Sequence, residues 1–354
     1  MNSNNSEKSY IKKQVIIDSN SLNLLLIIMA AIIVILLSTA IYLISANVSG
    51  GVQDDGGPNS DIDVSLNADY PFRYDITVTA PEYAENSVAL QDEIKSEYGA
   101  LIDITSGEIL ASKKSSQTFS PASMVKVMTL IVVYENLPKE SSLEETVTVS
   151  QSVADSMYAL GASGFGFKAG ETLTVEDLIY ALVLQSDGIA ALSLAEFVAE
   201  SESNFVDLMN QKASEMGLRH TTFGNCTGLS SDHTRTTCQE MALIMMYAMQ
   251  NPFCANVLSA TKYYPSDYFR QGEGCVFYHS LLVTKLESIG SGTDLKGVTI
   301  KAGKTGWIGS ESGYCLVSYA VGDNGHKYVL VTANAPNRNE EALDHKYIYE
   351  NYAK

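Results

Sequence analysis

The chain has 354 residues and a formal net charge of -18, with an apolar fraction of 45% that is ordinary for a globular protein. So acidic a chain lacks the basic face that nucleic acids require, which argues against nucleic-acid binding and against electrostatic docking on an anionic membrane surface. The length allows one large domain or two smaller ones, and the acidity by itself indicates solubility.

The first distinctive segment is an uncharged apolar run over residues 24–44. A run of about 20 apolar residues is long enough to cross a bilayer as a helix, whereas the apolar part of a secretory signal has roughly 7–15 residues. Three lysines precede the run and no Lys or Arg follows it before Arg73, which places the N-terminus in the cytoplasm. We therefore predict a cytoplasmic tail over residues 1–21 and a transmembrane anchor over 22–45, with cleavage after Ala46 as the alternative.

The same charge asymmetry predicts a single-pass protein of the cell membrane whose remaining chain is extracytoplasmic. Residues 46–78 predict a flexible acidic linker, because glycines interrupt regular structure and aspartates repel one another. A folded domain is then expected over residues 79–354.

The folded part has strand patterns at both ends and helical patterns in the middle. We predict strands over residues 98–103, 108–112, 298–302, 314–321 and 328–333, and helices from Ser123 and over residues 174–200, 204–216, 237–250 and 340–352. This order predicts an α+β fold in which the N-terminal hairpin lies beside the C-terminal strands in one sheet.

Ser123 and Lys126 are the first candidates for catalysis. Positions i and i+3 share one face of a helix, so the Lys126 amine can reach the Ser123 hydroxyl. The helix around them is apolar nearly all round, which predicts that the lysine is buried. Burial disfavours a charged ammonium, so we expect Lys126 to be the base that activates Ser123 as a nucleophile.

A second candidate motif, Lys304-Thr305-Gly306, follows the predicted strand over residues 298–302. A strand can lay its backbone beside a peptide substrate. Lys304 and Thr305 are then expected to bind a terminal carboxylate, and Gly306 to let the substrate approach closely.

A third motif, Ser186-Asp187-Gly188, follows an apolar stretch and taken alone indicates only a helix-breaking turn. The cysteines and histidines predict no metal site and no cofactor, because no C-x-x-C occurs and the histidines are scattered. Cys226 and Cys238 are close enough in sequence to bridge a local loop, but buried free thiols are the preferred interpretation.

Together, S-x-x-K, a serine-led loop and K-T-G resemble the signature set of penicillin-binding proteins and class A β-lactamases. Within that set the chain is similar to the low-molecular-mass D-alanyl-D-alanine carboxypeptidase family of serine peptidases, from about residue 80 to the C-terminus. The resemblance is carried by PASMVKVMT (121–129), GETLTVEDL (170–178), NCTGL (225–229), KTG (304–306) and SGYCLV (312–317).

The resemblance implies a β-lactamase/transpeptidase-like fold, with an antiparallel sheet packed against a helical region, preceded here by the predicted transmembrane helix. It implies that residues 79–354 form a serine DD-peptidase catalytic domain. Its substrates would be peptidoglycan stem peptides ending in D-Ala-D-Ala. Ser123 would attack the D-Ala-D-Ala carbonyl, release the last D-alanine and be freed by water, and β-lactams would be covalent inhibitors.

The resemblance also implies the roles of residues outside the nucleophile helix. Ser186 would belong to a proton relay toward the leaving amine, and Lys304 and Thr305 would hold the substrate carboxylate. The backbone N–H groups of the nucleophile and of Trp307 would form the oxyanion hole. Arg338 matches an arginine that in relatives helps to bind the carboxylate.

The chain departs from the family at the middle motif, where Ser-Gly-Asn is usual and Gly188 stands in the place of the Asn. In relatives that amide helps to orient the lysine and the substrate, and Asp187 is a candidate substitute if its loop is shifted. The departure leaves a slowly deacylating penicillin- or muropeptide-binding sensor as the alternative function. A β-lactamase is less favoured, because no E-x-x-L-N loop follows Lys126.

Overall fold

The computed structural model describes residues 66–67, 70–74, 76–266, 278–309 and 312–353. The predicted tail and anchor, over residues 1–21 and 22–45, lie outside these ranges. Within the part of the chain that is described, no helix has both the length and the apolar character needed to cross a membrane. Two short strands fall inside residues 46–78, which the sequence assigns to a linker.

The described strands and helices follow one another as strands at both ends and helices between. The strands are β1 (Leu66–Asn67), β2 (Tyr70–Tyr74), β3 (Glu82–Ala89), β4 (Tyr98–Asp103), β5 (Glu108–Lys113), β6 (Thr146–Thr148), β7 (Thr172–Thr174), β8 (Lys262–Tyr263), β9 (Tyr278–His279), β10 (Asp294–Leu295), β11 (Val298–Trp307), β12 (Tyr314–Gly322) and β13 (Lys327–Ala335). The α-helices are α1 (Val125–Glu135), α2 (Gln151–Ala159), α3 (Val175–Leu184), α4 (Gly188–Ala199), α5 (Glu202–Glu215), α6 (Cys238–Gln250), α7 (Pro252–Ser259), α8 (Leu281–Ser288) and α9 (Arg338–Tyr352), with 3-10 turns at Ala122–Met124 and Glu140–Glu144.

The central sheet has seven strands in the order β10-β11-β12-β13-β4-β5-β3. All its neighbours are antiparallel except the parallel pair of β3 and β5. Strand β13 pairs with β4, with Val331 opposite Ala100, so the N-terminal hairpin lies directly beside the C-terminal strands. This pairing confirms the predicted arrangement of the sheet.

Both faces of the sheet are buried, and alternate residues of one strand enter different cores. On β13, Val329 and Val331 pack with the helical region, whereas Tyr328 and Leu330 pack on the opposite face with helix α9. Because successive side chains of a strand point to opposite faces, a strand covered on both sides must be apolar at nearly every position. This explains the continuous apolar run in β13.

Helix α1 lies at the centre of the helical region, with every residue from Val125 to Glu135 buried. Its low polarity all round the axis is typical of a helix that has neighbours on every side. Helices α3, α4, α5 and α6 all contact it. The first turn of α1 therefore lies in a desolvated environment.

The helix predicted over residues 174–200 is wrong in one respect, because the structure breaks it into α3 and α4. Thr174 caps α3 in a capping box with Asp177, and Asp187 caps α4 by accepting from the Ala190 N–H. Between the two helices Ser186 has a φ of 55°, in the left-handed region that ends a helix. The break presents the serine at a corner.

Candidate active site

Ser123 lies in a 3-10 turn that leads directly into helix α1. Ala122, just before it, has a φ of 48°, a left-handed conformation that costs a non-glycine residue roughly 1–3 kcal/mol and is concentrated at functional sites. The Ser123 side chain is largely buried, at 8% exposure. The sequence prediction that this serine begins a buried helix matches its place in the structure.

Lys126 lies one turn further on and is the nearest base to Ser123 among the described contacts. Its amine donates to Ser123 Oγ at 3.1 Å and to the Thr227 carbonyl. Burial lowers the pKa of Lys126 to about 8, because an ammonium is poorly solvated there, while Cys226 and Asp187 oppose the shift. At pH 7 roughly a tenth of this amine is therefore neutral and able to accept a proton, and the neutral share grows as the pH rises through 8.

Ser186 and Lys304 form a second pair of candidate residues beside Ser123. Lys304 Nζ donates to Ser186 Oγ at 2.9 Å and to the Thr305 carbonyl at 2.9 Å. The serine comes from the corner between α3 and α4, and the lysine from strand β11. The structure thus joins two motifs that lie 118 positions apart in sequence.

The Lys304-Thr305-Gly306 motif lies inside strand β11, not in a turn after it, which corrects the predicted strand end at residue 302. Pairing with β12 continues through Gly306 and Trp307. A Cβ on Gly306 would lie 2.8 Å from the Pro121 carbonyl oxygen and 3.2 Å from the Ser123 nitrogen. The glycine is thus needed for strand β11 to pack against the turn that holds Ser123. The sequence predicted that it would allow close approach of the substrate instead.

The buried amine of Lys304 lies among other basic groups. Lys304 is 1% exposed, and burial, with the nearby charges of Lys126 and Lys285, holds its pKa well below the usual lysine value. Glu341 is the one carboxylate that acts in the opposite direction on this amine. Such a site favours an anionic ligand, because a bound carboxylate would restore the balance of charge.

Two cavities meet at Ser123. One has a volume of about 270 Å³ and is lined by Ser186, Thr305, Trp307 and Arg338, among others. The other, of about 350 Å³, extends on the side of Lys126. All the predicted site residues except Lys304 line one or both cavities, including the exposed Arg338 at the first position of helix α9. Lys304 contacts this cleft through Ser186 and Thr305.

A buried ion pair between Lys285 and Glu341 lies against this cleft and was missed by sequence analysis. Lys285 lines the first cavity from helix α8, and its amine is bonded to the Glu341 carboxylate of α9. The available signal was a lysine within an apolar helical pattern, which is the same signal that singled out Lys126. The same pattern in residues 281–286 was not interpreted as a buried lysine.

Both carboxylate oxygens of Asp187, the residue before Gly188, are bound by backbone N–H groups. Its carboxylate accepts from the Ala190 N–H at 2.8 Å and from the Phe165 N–H at 2.6 Å. Burial raises its pKa to about 6, against the opposing effect of these backbone donors. The charge of Asp187 nevertheless acts on the Lys126 amine, so its substitution for the missing amide stays a prediction.

The four cysteines that the structure describes are buried free thiols, including Cys226 and Cys238, which confirms the preferred interpretation of that pair. Cys275 lies outside the described residues. Among the residues that are described, no group of three or more His, Cys, Asp or Glu side chains is placed to hold a metal ion.

Comparison with known proteins gives relatives along most of the folded part. A family model described as D-alanyl-D-alanine carboxypeptidase matches residues 85–337. The chain is 31% identical over 244 residues to D-alanyl-D-alanine carboxypeptidase DacF of Bacillus subtilis, covering 68% of this chain and 57% of the relative. It is 36% identical over 147 residues to D-alanyl-D-alanine carboxypeptidase DacC of Escherichia coli, covering 41% of this chain and 37% of the relative. The matches thus span less than two thirds of these curated relatives.

Solved structures share the fold at lower identity. Penicillin binding protein 5 from Haemophilus influenzae has a TM-score of 0.63 at 23% identity, covering 74% of this chain and 71% of that chain. A D-alanyl-D-alanine carboxypeptidase from Mycobacterium tuberculosis has a TM-score of 0.61 at 21% identity, covering 75% and 95%. These likenesses support the mixed fold of sheet and helices predicted from the sequence. With the family model matching most of the chain, this protein belongs to the D-alanyl-D-alanine carboxypeptidase family of peptidases.

Proposed function

We propose that this chain is a serine-type D-Ala-D-Ala carboxypeptidase, which removes the terminal D-alanine from peptidoglycan stem peptides through an acyl-enzyme on Ser123. The observation that carries the proposal is the buried Lys126 amine, 3.1 Å from Ser123 Oγ, with its pKa lowered to about 8. A nucleophile paired with a neutral base is what acyl transfer requires. Membership of the family supports the same reaction.

Acylation begins when neutral Lys126 takes the hydroxyl proton of Ser123 as Oγ attacks the carbonyl carbon of the D-Ala-D-Ala amide. The backbone N–H groups of Ser123 and Trp307 receive the oxyanion, and one such donor is typically worth roughly 10²–10³ in rate. The C–N bond then breaks, and the proton that Lys126 took from Ser123 passes to the leaving amine through the Ser186 hydroxyl, so that Lys126 is neutral again and Ser186 keeps its proton. Its hydrogen bond with Lys304 and its place in the cleft support this role.

Deacylation consumes one water, which attacks the ester carbon and returns the proton to Ser123 Oγ. The products are the shortened stem peptide and free D-alanine, so the bonds broken and formed are balanced without a cofactor. Proton transfer by a positioned side chain contributes roughly 10²–10⁴ in rate.

The free carboxylate of the substrate is assigned to the first cavity, to Thr305 and Arg338, which line it, and to Lys304, whose amine contacts Ser186 and Thr305. The two basic side chains that line this cavity, Lys285 and Arg338, support this assignment. Ser123 lines the same cavity, so we assign the last amide of such a substrate to the nucleophile. The same pocket suits β-lactams, which carry a carboxylate next to a reactive carbonyl.

The proposed reaction is tested with the purified full-length chain and an N-acylated peptide that ends in D-Ala-D-Ala. We expect release of one D-alanine per peptide and covalent labelling by a fluorescent penicillin. Ser123→Ala should abolish both, whereas Ser116→Ala, a change of an exposed serine outside the cleft, should leave both unchanged. Labelling that survives Ser123→Ala would contradict the assignment of the nucleophile.

A slowly deacylating sensor is the second candidate, and Gly188 is the observation that favours it. Rapid penicillin labelling without release of D-alanine would support the sensor and contradict the carboxypeptidase. Repeated turnover of penicillin would instead indicate a β-lactamase.

The proposed location is the cell membrane, with a single-pass anchor over residues 22–45 and the catalytic part outside. The uncharged run and the lysines before it support this proposal. The full-length chain should resist alkaline extraction from membranes and should be digested by protease added to intact protoplasts. Protection from the protease would contradict the orientation, and release by alkali would contradict the anchor.

A further inference from the structure

The place of the missing motif Asn is filled by another part of the chain. A Cβ on Gly188 would lie 2.7 Å from Ala162 Cβ and 3.2 Å from Met157 Sδ. Both distances are shorter than ordinary packing allows, so no side chain fits at this position without a shift. The segment that occupies the space is residues 160–165, which we call the cleft loop.

Asp187 and Gly188 both hydrogen-bond the backbone of the cleft loop. The Gly188 N–H donates to the Ser163 carbonyl at 2.9 Å, and the Asp187 carboxylate accepts from the Phe165 N–H at 2.6 Å. A Cβ on Gly164 would lie 2.3 Å from Asp187 Oδ2, so the loop needs its own glycine where it crosses the carboxylate. The two residues that depart from the usual motif thus act together. Asp187 is a clamp that binds the cleft loop, and Gly188 leaves space for it.

The clamp holds Ser163 at the junction of the two cavities. Ser163, Ser123 and Trp307 are the described residues that line both of them. A peptide that runs from one cavity to the other across Ser123 must pass Trp307 and Ser163. The Ser163 side chain is exposed, so a ligand in the cleft can reach its hydroxyl.

We infer that Ser163 is a substrate-binding residue that hydrogen-bonds a backbone amide of the stem peptide on the acyl side of the scissile bond. Asp187 is its positioning residue, and Gly188 leaves the room that the loop requires. The ligand class is an extended peptide amide, which offers both a carbonyl acceptor and an N–H donor to a hydroxyl. This inference rests on the proposed carboxypeptidase function.

The first test replaces Ser163 by Ala, with Ser156→Ala on the exposed side of helix α2 as the matched control. One neutral hydrogen bond is worth roughly 3- to 10-fold, so kcat/KM for D-alanine release should fall by that factor in Ser163→Ala and remain unchanged in Ser156→Ala. Equal values in both variants would overturn the role of Ser163. If wild type releases no D-alanine and takes no penicillin label, the proposed function and this inference fail together.

The second test asks whether Asp187 acts through Ser163. Asp187→Asn removes one of the two backbone acceptors and should lower kcat/KM in the wild-type background. In the Ser163→Ala background the same change should have little further effect, because residues that act through one contact are not additive. Fully additive losses would indicate a purely structural role for Asp187 and overturn the clamp.

The third test separates this inference from the expectation set by the family motif. If Gly188 were only a defect, Gly188→Asn would raise turnover, whereas a displaced loop predicts a loss of roughly tenfold. Gly188→Ala should also slow penicillin labelling, and Ala162→Gly added to it should restore the rate by removing the opposed Cβ. A gain in Gly188→Asn, or no recovery in a folded double variant, would overturn the inference.

Discussion

At the scale of single residues, the cleft is defined by three buried lysines, of which only Lys285 has a carboxylate ion-pair partner among the described residues. Lys126 and Lys304 are buried and have lowered pKa values, mainly because burial removes water from the ammonium. Lys285 adds a third amine, bound by Glu341. A buried cation without a partner costs free energy unless it is neutralised, so the site favours a neutral base beside Ser123 and an anion beside Lys304.

The lowered pKa of Lys126 predicts the pH dependence of acylation. The neutral amine, which is the active form, increases as pH rises through about 8. We therefore expect the second-order rate of penicillin labelling to rise between pH 6 and 8 and to level off above roughly pH 9. The labelling rate is measured by rapid quenching at each pH. A rate that is flat from pH 6 to 9 would contradict Lys126 as the base.

Arg338 should affect only substrates that carry a free carboxylate. Arg338→Gln removes a cation from the end of the cleft, so KM for a peptide ending in D-Ala-D-Ala should rise roughly tenfold, the value of a charged hydrogen bond. A matched peptide with an amidated C-terminus should be cleaved equally by wild type and variant. Equal losses on both peptides would show that the change acts elsewhere.

At the scale of elements, three helices are joined by one buried polar cluster. Glu135 at the end of α1 pairs with Lys212 of α5 at 2.7 Å and accepts from the Tyr247 hydroxyl of α6. Lys212 also donates to the Tyr247 hydroxyl at 2.6 Å. Each charged group is satisfied by the other two, which allows charge inside the helical region. The cluster lies on the helix that begins at the nucleophile and holds it against its neighbours.

Glu135→Ala should destabilise the protein strongly, because it leaves the Lys212 ammonium buried without its counter-charge. Removing one partner of a buried pair typically costs about 3–5 kcal/mol of unfolding free energy. Urea unfolding of the wild type, Glu135→Ala and the exposed control Glu215→Ala measures the loss. A cost near that of the control would mean that Lys212 finds other partners or water.

At the scale of the whole molecule, one sheet separates two cores and forms one wall of the cleft. Strand β11 carries the K-T-G motif on the edge nearest the nucleophile, while α9 covers the opposite face and brings Arg338 to the cleft. His345 of α9 is fully buried, with Nδ1 3.1 Å from Thr332 Oγ1. Burial, and then the charge of Lys285, lower its pKa to about 3.

The buried His345 predicts a loss of global stability in mild acid. In the unfolded chain the pKa of His345 is about 6.5, so the unfolded state binds a proton at mildly acid pH while the folded histidine stays neutral. The contribution of neutral His345 to the free energy of unfolding is therefore complete above about pH 6.5 and falls as the pH decreases toward 3. Between pH 7 and 5 the wild type should lose about 2 kcal/mol more than His345→Asn. Urea unfolding at both pH values measures the difference. Equal losses would mean that His345 is protonated in the folded protein.

Local pattern was sufficient for the features whose partners are close in sequence. Ser123 and Lys126 share a helix face, and the apolar residues around them predict burial, so the pair and its environment followed from spacing alone. The order of strands and helices also predicted a mixed fold, because periodicity is a local property. Family motifs supplied the remaining expectations for Ser186 and Lys304.

Tertiary packing decided the features whose partners are far apart. The contact between Lys304 and Ser186, the ion pair of Lys285 with Glu341 and the extension of β11 through its motif depend on which surfaces meet. The place of Gly188 is the clearest case. The sequence showed a missing Asn, but only the folded chain placed the cleft loop in that space, because steric exclusion acts between atoms that are neighbours in space and not along the chain.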